Sequence, residues 1–256
     1  MRDLPKAIGE GHYARKQIFS RDRLVAWSHR RRFDTGVALA RAFAGKRLLD
    51  YGCGDGTFLA LTMLTPDAPV VGVGVELSPE AVSDCRIRYG DEPRLRFVRA
   101  TDLDQPSHIA QYDAVFCMEV LEHVVDCDPE LDRLEGLLSP GGRLIISVPV
   151  ETGLPLIVKQ TVRRVAGWRG IGHYPGTSSY TSNELAVSVF AGPAQHIARP
   201  VFDGGSGPVH DHKGFNWMVL KARLSRQFDI ERVLASPFSW LGPHFATQVW
   251  FVCRRR

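Results

Sequence analysis

The stretch from Leu48 to Leu59 constrains the fold more than any other part of the chain. An apolar run ends at Asp50, three glycines follow at alternate positions, and apolar residues then resume at helical spacing. Glycine tolerates positive φ angles and lets a ligand approach the backbone without a Cβ in the way. The stretch therefore predicts a buried strand, a tight turn and the start of a helix. The three glycines are Gly52, Gly54 and Gly56.

This glycine turn differs from the common phosphate-binding loops. Its G-x-G-x-G spacing matches neither the G-x-G-x-x-G of dinucleotide-binding turns nor the P-loop pattern that ends in lysine. Asp55 places a negative charge where a phosphate would sit, and the turn has no lysine to meet one. We therefore expect a ligand that is neutral or cationic at this point. The alternative is a turn that only connects a strand to a helix.

From residue 47 to about residue 150, strand-like and helix-like segments alternate. Residues 70–75 form an apolar, mostly β-branched run that ends at Glu76, as expected of a strand buried on both faces. Ser78-Pro79 then has the residues of a helix start. Further strands are predicted at 96–100, 112–118, 143–149, 228–234 and 248–253.

The last two of these strands are too close in sequence for a crossover helix, so they must run antiparallel. The expected fold is α/β. It consists of a doubly wound, Rossmann-like, mostly parallel seven-stranded sheet with an antiparallel last strand. Residues 46–256 are predicted to form this domain, with a cap inserted at about 150–225 between the fifth and sixth strands.

The N-terminal residues 1–45 are predicted to form a helical arm or lid. Residues 1–47 carry 12 Lys and Arg against 4 Asp and Glu, whereas the rest of the chain has an excess of four negative charges. Such an arm can meet an anionic substrate, nucleic acid or anionic lipid, or it can form a solvated helix face.

Composition sets the broad class of protein. The 256 residues are 44% hydrophobic and 23% charged, which is typical of a soluble globular protein. No apolar run is long enough to span a membrane, and the N-terminus lacks the apolar core of a secretory signal. The five cysteines are scattered and include no C-x-x-C pair, which favours a reducing compartment. We therefore expect a cytoplasmic protein without a transmembrane segment.

The order of these features resembles the class I S-adenosylmethionine-dependent methyltransferases. The likeness rests on the glycine turn, on Glu76 at the end of the second strand, on Asp102 after the third, and on Asp113 at the start of the fourth. It implies the fold, the cofactor S-adenosylmethionine and a set of cofactor-binding residues. That set is Asp50, Gly52, Cys53, Gly54, Gly56, Glu76, Leu77, Asp102, Leu103, Met118 and Glu119.

The chemistry of this cofactor agrees with the residues. Its sulfonium is cationic and its tail is an amino acid, so Asp50 and Asp55 are compatible with it where they are not with phosphate. Glu76 is an acceptor-only carboxylate that can take both ribose hydroxyls. Asp102 can accept from the adenine amino group. The alternative for Glu76 and Asp102 is that they are only acids at the start of helices.

The residues after the fourth strand suggest how an acceptor is activated. His123 is the candidate general base, because it follows this strand at the ligand end of the sheet. Glu119, Glu122 and His123 also resemble the Glu-x-x-Glu-His run of metal-assisted 2′-O-methyltransferases that act on small-RNA 3′ ends. Ubiquinone-pathway O-methyltransferases carry a similar run. The alternative is that such a run only starts a helix.

The RNA family has a second segment, Asp-His-Lys-Phe-Glu-Trp, which supplies a further histidine. Residues 211–217 resemble it, with Gly214 inserted and Asn216 in place of Glu. The resemblance implies a divalent metal, with Glu119, Glu122, His123 and His212 as candidate ligands. The alternative is that His210 and His212 are loop residues that hydrogen-bond locally.

The predicted activity is S-adenosylmethionine-dependent O- or N-methylation of a small molecule, lipid or glycan precursor. One alternative is a metal-assisted RNA 2′-O-methyltransferase, which the basic arm and the Glu/His pattern suggest. A non-catalytic cofactor-binding domain is another. The acceptor is selected by residues 1–45 and 150–225, which the resemblance does not cover.

Overall fold

The computed structural model describes residues 3–168, 178–195, 197–205 and 207–256. The helices are α1 Leu4–Gly9, α2 His12–Lys16, α3 Arg23–Ala40, α4 Thr57–Met63, α5 Pro79–Tyr89, α6 Cys127–Leu137, α7 Gly153–Trp168, α8 Ser182–Val189 and α9 Trp217–Gln227. The strands are β1 Arg47–Tyr51, β2 Val71–Glu76, β3 Leu95–Arg99, β4 Tyr112–Met118, β5 Leu138–Pro149, β6 Val201–Asp203, β7 Pro208–His210, β8 Phe228–Ser236 and β9 Gln248–Arg255.

The main sheet has seven strands in the order β3-β2-β1-β4-β5-β9-β8. β1 pairs in parallel with both β2 and β4, and β2 pairs in parallel with β3. β8 and β9 are neighbours joined only by short 3-10 turns, so they run antiparallel. The predicted fold class is confirmed. The strand order reverses between β1 and β4, and in open α/β sheets ligands bind at the carboxyl ends of the strands beside such a reversal.

Local signals explain why these elements begin where they do. The Ser78 hydroxyl accepts from Ala81 N at 3.2 Å and caps α5, with Pro79 in its first turn. Leu48 and Leu49 of β1 are fully buried, as a central strand requires. β5 starts at Leu138, five residues before the predicted start at Arg143. The prediction was late because a proline and two glycines, which are typical of a turn, lie inside the strand.

The chain clusters into two compact units. The first contains residues 1–118, 132–146 and 254–256, and the second contains residues 119–131 and 147–253. The first unit holds the glycine turn and β1 to β4. The predicted division into an arm, a main domain and a cap stays a prediction.

The second unit contains most of the inserted segment between β5 and β8. Here α7, α8 and α9 accompany a small antiparallel sheet of β6 and β7, in which Val201 pairs with His210. The sequence did not predict this sheet, because its strands are three residues long and lack apolar alternation. Residues 169–177 of the predicted cap lie outside the described residues. In the described parts of the chain, no helix is both long enough and apolar enough to cross a membrane.

Candidate cofactor and metal sites

The glycine turn is held tightly against the end of β2. Gly52, Gly54 and Gly56 have φ angles of 74°, 55° and 73°, which residues other than glycine rarely adopt. The N–H groups of Gly52 and Cys53 both donate to Val75 O at 2.9 Å. A Cβ on Gly56 would lie 2.9 Å from two aromatic rings of the first unit. Each glycine therefore answers a conformational or steric requirement of the turn.

Glu76 lies beside the glycine turn, as a ribose-binding acid would. Its Oε2 accepts from Gly54 N at 3.0 Å, and its Oε1 accepts from Leu77 N at 2.8 Å. The side chain is partly exposed, and each carboxylate oxygen keeps acceptor capacity beyond these bonds. Its role toward a ribose stays a prediction.

Asp50 is a buried carboxyl at the end of β1. It is 1% exposed, and its Oδ1 has no hydrogen-bond partner within the described residues. Burial, together with the charges of Glu76 and Asp55, raises the pKa of Asp50 to about 8 against the lowering influence of Arg32. A buried carboxyl with an unused oxygen is suited to a cationic ligand group. The cofactor's ammonium group therefore fits this position.

Asp55 is buried and contacts the N-terminal segment. It is 5% exposed, and its Oδ2 accepts from Ala14 N at 2.9 Å while its Oδ1 accepts from Thr57 N at 3.2 Å. The buried Arg88 donates to its backbone carbonyl at 3.1 Å. A Cβ on Gly54 would lie 3.1 Å from the Tyr13 ring, so α2 lies directly over the turn. The sequence did not predict these contacts of α2, because no local sequence pattern indicates them.

The remaining predicted cofactor residues differ in their surroundings. Asp102 accepts from Arg99 N at 3.1 Å, and so caps the 3-10 turn of residues 100–104. This is the alternative that the sequence left open for Asp102, and an adenine contact stays a prediction. Leu103 is buried, Leu77 is exposed, and Met118 ends β4 with partial exposure.

Glu119 has an unusual backbone conformation. Its φ is 57°, which is uncommon for any residue other than glycine and is found preferentially at functional sites. Its N–H donates to Ser147 O at 2.9 Å, and its Oε1 accepts from the Ser147 hydroxyl at 3.0 Å. These two bonds fix both its backbone and its side chain.

The second unit brings three of the four predicted metal ligands together. Glu122, His123 and His212 each offer a ligand atom, and the three atoms lie within 4.8 Å of one another. Glu122 is completely buried, and its Oε1 lies 3.9 Å from His123 Nε2. The two imidazole rings are 4.9 Å apart, edge to face. Glu119 is not a member of this cluster, although its charge acts on the pKa of His212.

A backbone contact orients His123. Its Nδ1 lies 2.9 Å from His210 O, so this nitrogen carries the proton and donates, which leaves the lone pair on Nε2 facing the cluster. His210 in turn places its own Nδ1 2.8 Å from Pro200 O. His210 ends β7 instead of lying in a loop, and this bond joins it to the residue that precedes β6.

His212 is held as a neutral imidazole. Its Nδ1 is buried and, within the described residues, makes no hydrogen bond. Burial lowers the pKa of His212, and the opposing influence of Glu151 is the largest of the nearby charges. A neutral imidazole is the form that binds a metal.

Glu151 is a residue that sequence reasoning missed. It is completely buried just after β5, and Lys159 Nζ lies 2.9 Å from its Oε1. An acid just beyond a strand's carboxyl end was the signal that identified Glu76, and the same signal marks Glu151. Its partner Lys159, on α7, is not predictable from local sequence.

Comparison with known proteins shows the family to which the chain belongs. A family model described as "Methyltransferase domain" matches residues 21–189. A ubiquinone biosynthesis O-methyltransferase of Aeromonas salmonicida is 39% identical over 204 residues, which cover 79% of this chain and 68% of that protein. One of Marinobacter nauticus is 35% identical over 111 residues, which cover 41% of this chain and 45% of that protein. For most of the curated relatives that it matches, the matched part of the chain spans only about half of the relative's length.

A solved structure shares the fold. The crystal structure of an S-adenosylmethionine-dependent methyltransferase from Mesorhizobium loti superposes with a TM-score of 0.55 at 16% sequence identity. The superposition covers 88% of this chain and 98% of that one.

Proposed function

Because the chain belongs to the class I S-adenosylmethionine-dependent methyltransferases, we propose that it methylates a hydroxyl oxygen of a small molecule with the help of a divalent cation. The family and its cofactor are those that the glycine turn and its neighbours implied. The observation that carries the metal is the cluster of Glu122, His123 and His212. The names of the relatives support oxygen as the acceptor atom.

The cofactor is assigned to the first unit. The glycine turn gives close backbone access, Asp50 supplies a buried acceptor for the ammonium group, and Glu76 supplies acceptors for the ribose. When bound, S-adenosylmethionine would supply the methyl group, whose bond to sulfur breaks as its bond to the acceptor oxygen forms, leaving S-adenosylhomocysteine. A divalent cation held by the cluster would make the acceptor hydroxyl more acidic, and its proton would leave to water.

The residues of the cluster hold the cation and orient the acceptor. A carboxylate and two neutral imidazoles are a donor set that suits several divalent transition metals. His123 can serve as a metal ligand or as a general base, but not as both. Its Nδ1 is used by His210 O, so only Nε2 is available. We assign Nε2 to the metal, because it faces Glu122 and His212.

The acceptor is proposed to carry an apolar part. α7 exposes several large apolar side chains in the second unit, which favours a lipid-like acceptor over a glycan precursor. They are Leu154, Ile157, Val158 and Val162.

The experiment measures release of S-adenosylhomocysteine from purified protein with a panel of phenolic, lipid-like, glycan and RNA acceptors. We expect turnover of a hydroxylated small molecule that EDTA abolishes and an added divalent cation restores. Glu122→Gln and His212→Gln should lower kcat by about 100-fold, in line with loss of a metal ligand. His108→Gln, in the first unit and hydrogen-bonded to Tyr112, is the matched control.

Three results would contradict the proposal, in part or as a whole. Turnover that EDTA leaves intact would remove the metal from the proposal and return His123 to the role of general base. Turnover of RNA alone would make the chain an RNA methyltransferase. Absence of cofactor binding at millimolar concentration would overturn the proposed activity altogether.

A further inference from the structure

One half-buried arginine in the inserted segment, Arg199, bridges the two segments that carry the cluster. Arg199 Nη2 donates to Glu122 O and, at 2.7 Å, to Asp211 O. Its Nε donates to Lys213 O at 3.3 Å. The three acceptors are therefore the carbonyl of one cluster residue and the carbonyls on either side of His212.

The residues that follow His212 pack against the side chain of Arg199. The guanidinium lies 5.3 Å from the centre of the Phe215 ring, within cation–π range. A Cβ on Gly214 would lie 3.1 Å from Arg199 Cγ and 3.0 Å from Ile197, and Gly214 has a φ of 73°. The extra glycine that distinguishes residues 211–217 from the RNA-methyltransferase pattern thus permits close approach to Arg199.

This arrangement is suited to arginine and not to lysine. Arginine presents several donors in a rigid planar fork, whereas a lysine ammonium is a point charge on a flexible stem. Glu122 and His212 are far apart in sequence, so their geometry depends on tertiary bonds between their segments. Besides the bonds of Arg199, His210 N donates to His123 O at 2.9 Å.

We propose that Arg199 is a positioning residue that holds Glu122, His123 and His212 in ligating geometry. The inference rests on the proposed metal-assisted function and adds to it a residue that touches neither cofactor nor metal. Loss of a residue that orients metal ligands typically weakens metal affinity by about 10- to 100-fold. We expect a loss of that size in Arg199→Ala, and a comparable loss in Arg199→Lys.

The test is titration of Mn²⁺ into the full chain, followed by titration of S-adenosylmethionine into the same samples. Arg199→Ala should lose Mn²⁺ affinity while its cofactor affinity stays within about twofold, since the bonds of Arg199 go to Glu122, Asp211 and Lys213 and to none of the predicted cofactor residues. Added guanidinium at millimolar concentration should restore Mn²⁺ binding to this variant. Arg223→Ala is the matched control, because Arg223 is in the same unit and pairs only loosely with Asp128 at 3.5 Å.

The outcomes separate this inference from the proposed function. If the unmodified chain binds Mn²⁺ and Arg199→Ala binds it equally well, the positioning role is wrong and the metal site stands. If the unmodified chain binds no divalent cation, both fall. If Arg199→Ala fails to fold, Arg199→Lys and Gly214→Ala decide, and wild-type Mn²⁺ affinity in both of these variants overturns the inference.

Discussion

At the scale of single residues, Asp50 makes the stability of the protein depend on pH. Burial raises its pKa to about 8, from an ordinary value of about 3.9 in an unfolded chain. For a carboxyl whose pKa is raised by folding, the stability contribution is complete below the unfolded pKa and is lost as pH rises through the folded pKa. The cost of Asp50 is therefore greatest above about pH 8.

Replacing Asp50 by Asn should remove this cost. We expect the melting temperature of Asp50→Asn to exceed that of the unmodified chain by a margin that grows from about pH 4 to pH 9, where it reaches several degrees, since roughly 1 kcal/mol corresponds to a few degrees. Thermal melts across this range measure the effect. Asp34→Asn, at an exposed position, should show no such trend. A variant that is less stable than the unmodified chain near pH 9 would show that Asp50 is ionised and satisfied in the free protein.

The same substitution should weaken cofactor binding. A hydrogen bond to a charged group contributes about 1.5–3 kcal/mol, so Asp50→Asn should bind S-adenosylmethionine about 10- to 100-fold more weakly. Because Asp50 is largely protonated in the free protein at pH 7, binding of the cationic ligand should release a proton. Calorimetry in two buffers of different ionisation enthalpy measures this release. An equal heat in both buffers would assign the ammonium group to another residue.

At the scale of elements, the N-terminal helices depend on one glycine between α1 and α2. A Cβ on Gly11 would run into the Asp55 carboxylate and lie 2.8 Å from Arg88 Nη1, whereas a Cβ on Gly9 would meet nothing within 4 Å. We expect Gly11→Ala to cost about 1–3 kcal/mol of unfolding free energy through overpacking and to speed proteolytic cleavage before residue 20. Gly9→Ala is the matched control and should behave like the unmodified chain. Equal cleavage rates would show that α1 and α2 are not held by this contact.

Elements with strong local signals were predictable, and elements stabilised only by tertiary contacts were not. β1 is an apolar run ended by a glycine turn, and α5 has a serine cap followed by proline, so sequence alone identified both. β6 and β7 have neither apolar alternation nor length, and pair only because the inserted segment folds back on itself. The same holds for the contact of α2 with Asp55, which joins residues distant in sequence.

At the scale of the whole molecule, one candidate site could be predicted from the sequence and the other could not without a resemblance to a known family. The cofactor residues follow strand ends, and strand ends meet by topology, so a fold prediction was enough to group Asp50 with Glu76. His123 and His212 could be paired only through resemblance to another family. Arg199 carries no sequence signal, because its three acceptors are backbone carbonyls, and a carbonyl is present at every residue.

Charge distribution is the property of the whole chain that bears on the RNA alternative. Residues 1–47 have eight more positive than negative charges, but some of this excess is used within the protein. Arg32 is buried and donates to Gln17 Oε1, and Arg30 donates to Ile18 O at 3.0 Å. These two arginines are therefore engaged within the protein, whereas other basic side chains of the segment, such as Arg15 and Lys16, are exposed.

We expect weak, non-specific RNA binding through a few of these exposed side chains, and therefore a modest dependence on salt. A plot of log affinity against log salt concentration should have a slope of about −1 to −2, because each neutralised phosphate contributes roughly −0.7 to −0.9. Arg15→Gln with Lys16→Gln, at two exposed positions of α2, should reduce this binding and leave methylation of a small-molecule acceptor within about twofold. Filter binding over a range of salt concentrations measures the slope. A slope of about −6 or steeper, with methylation of the bound RNA, would mean that the basic segment guides an RNA acceptor.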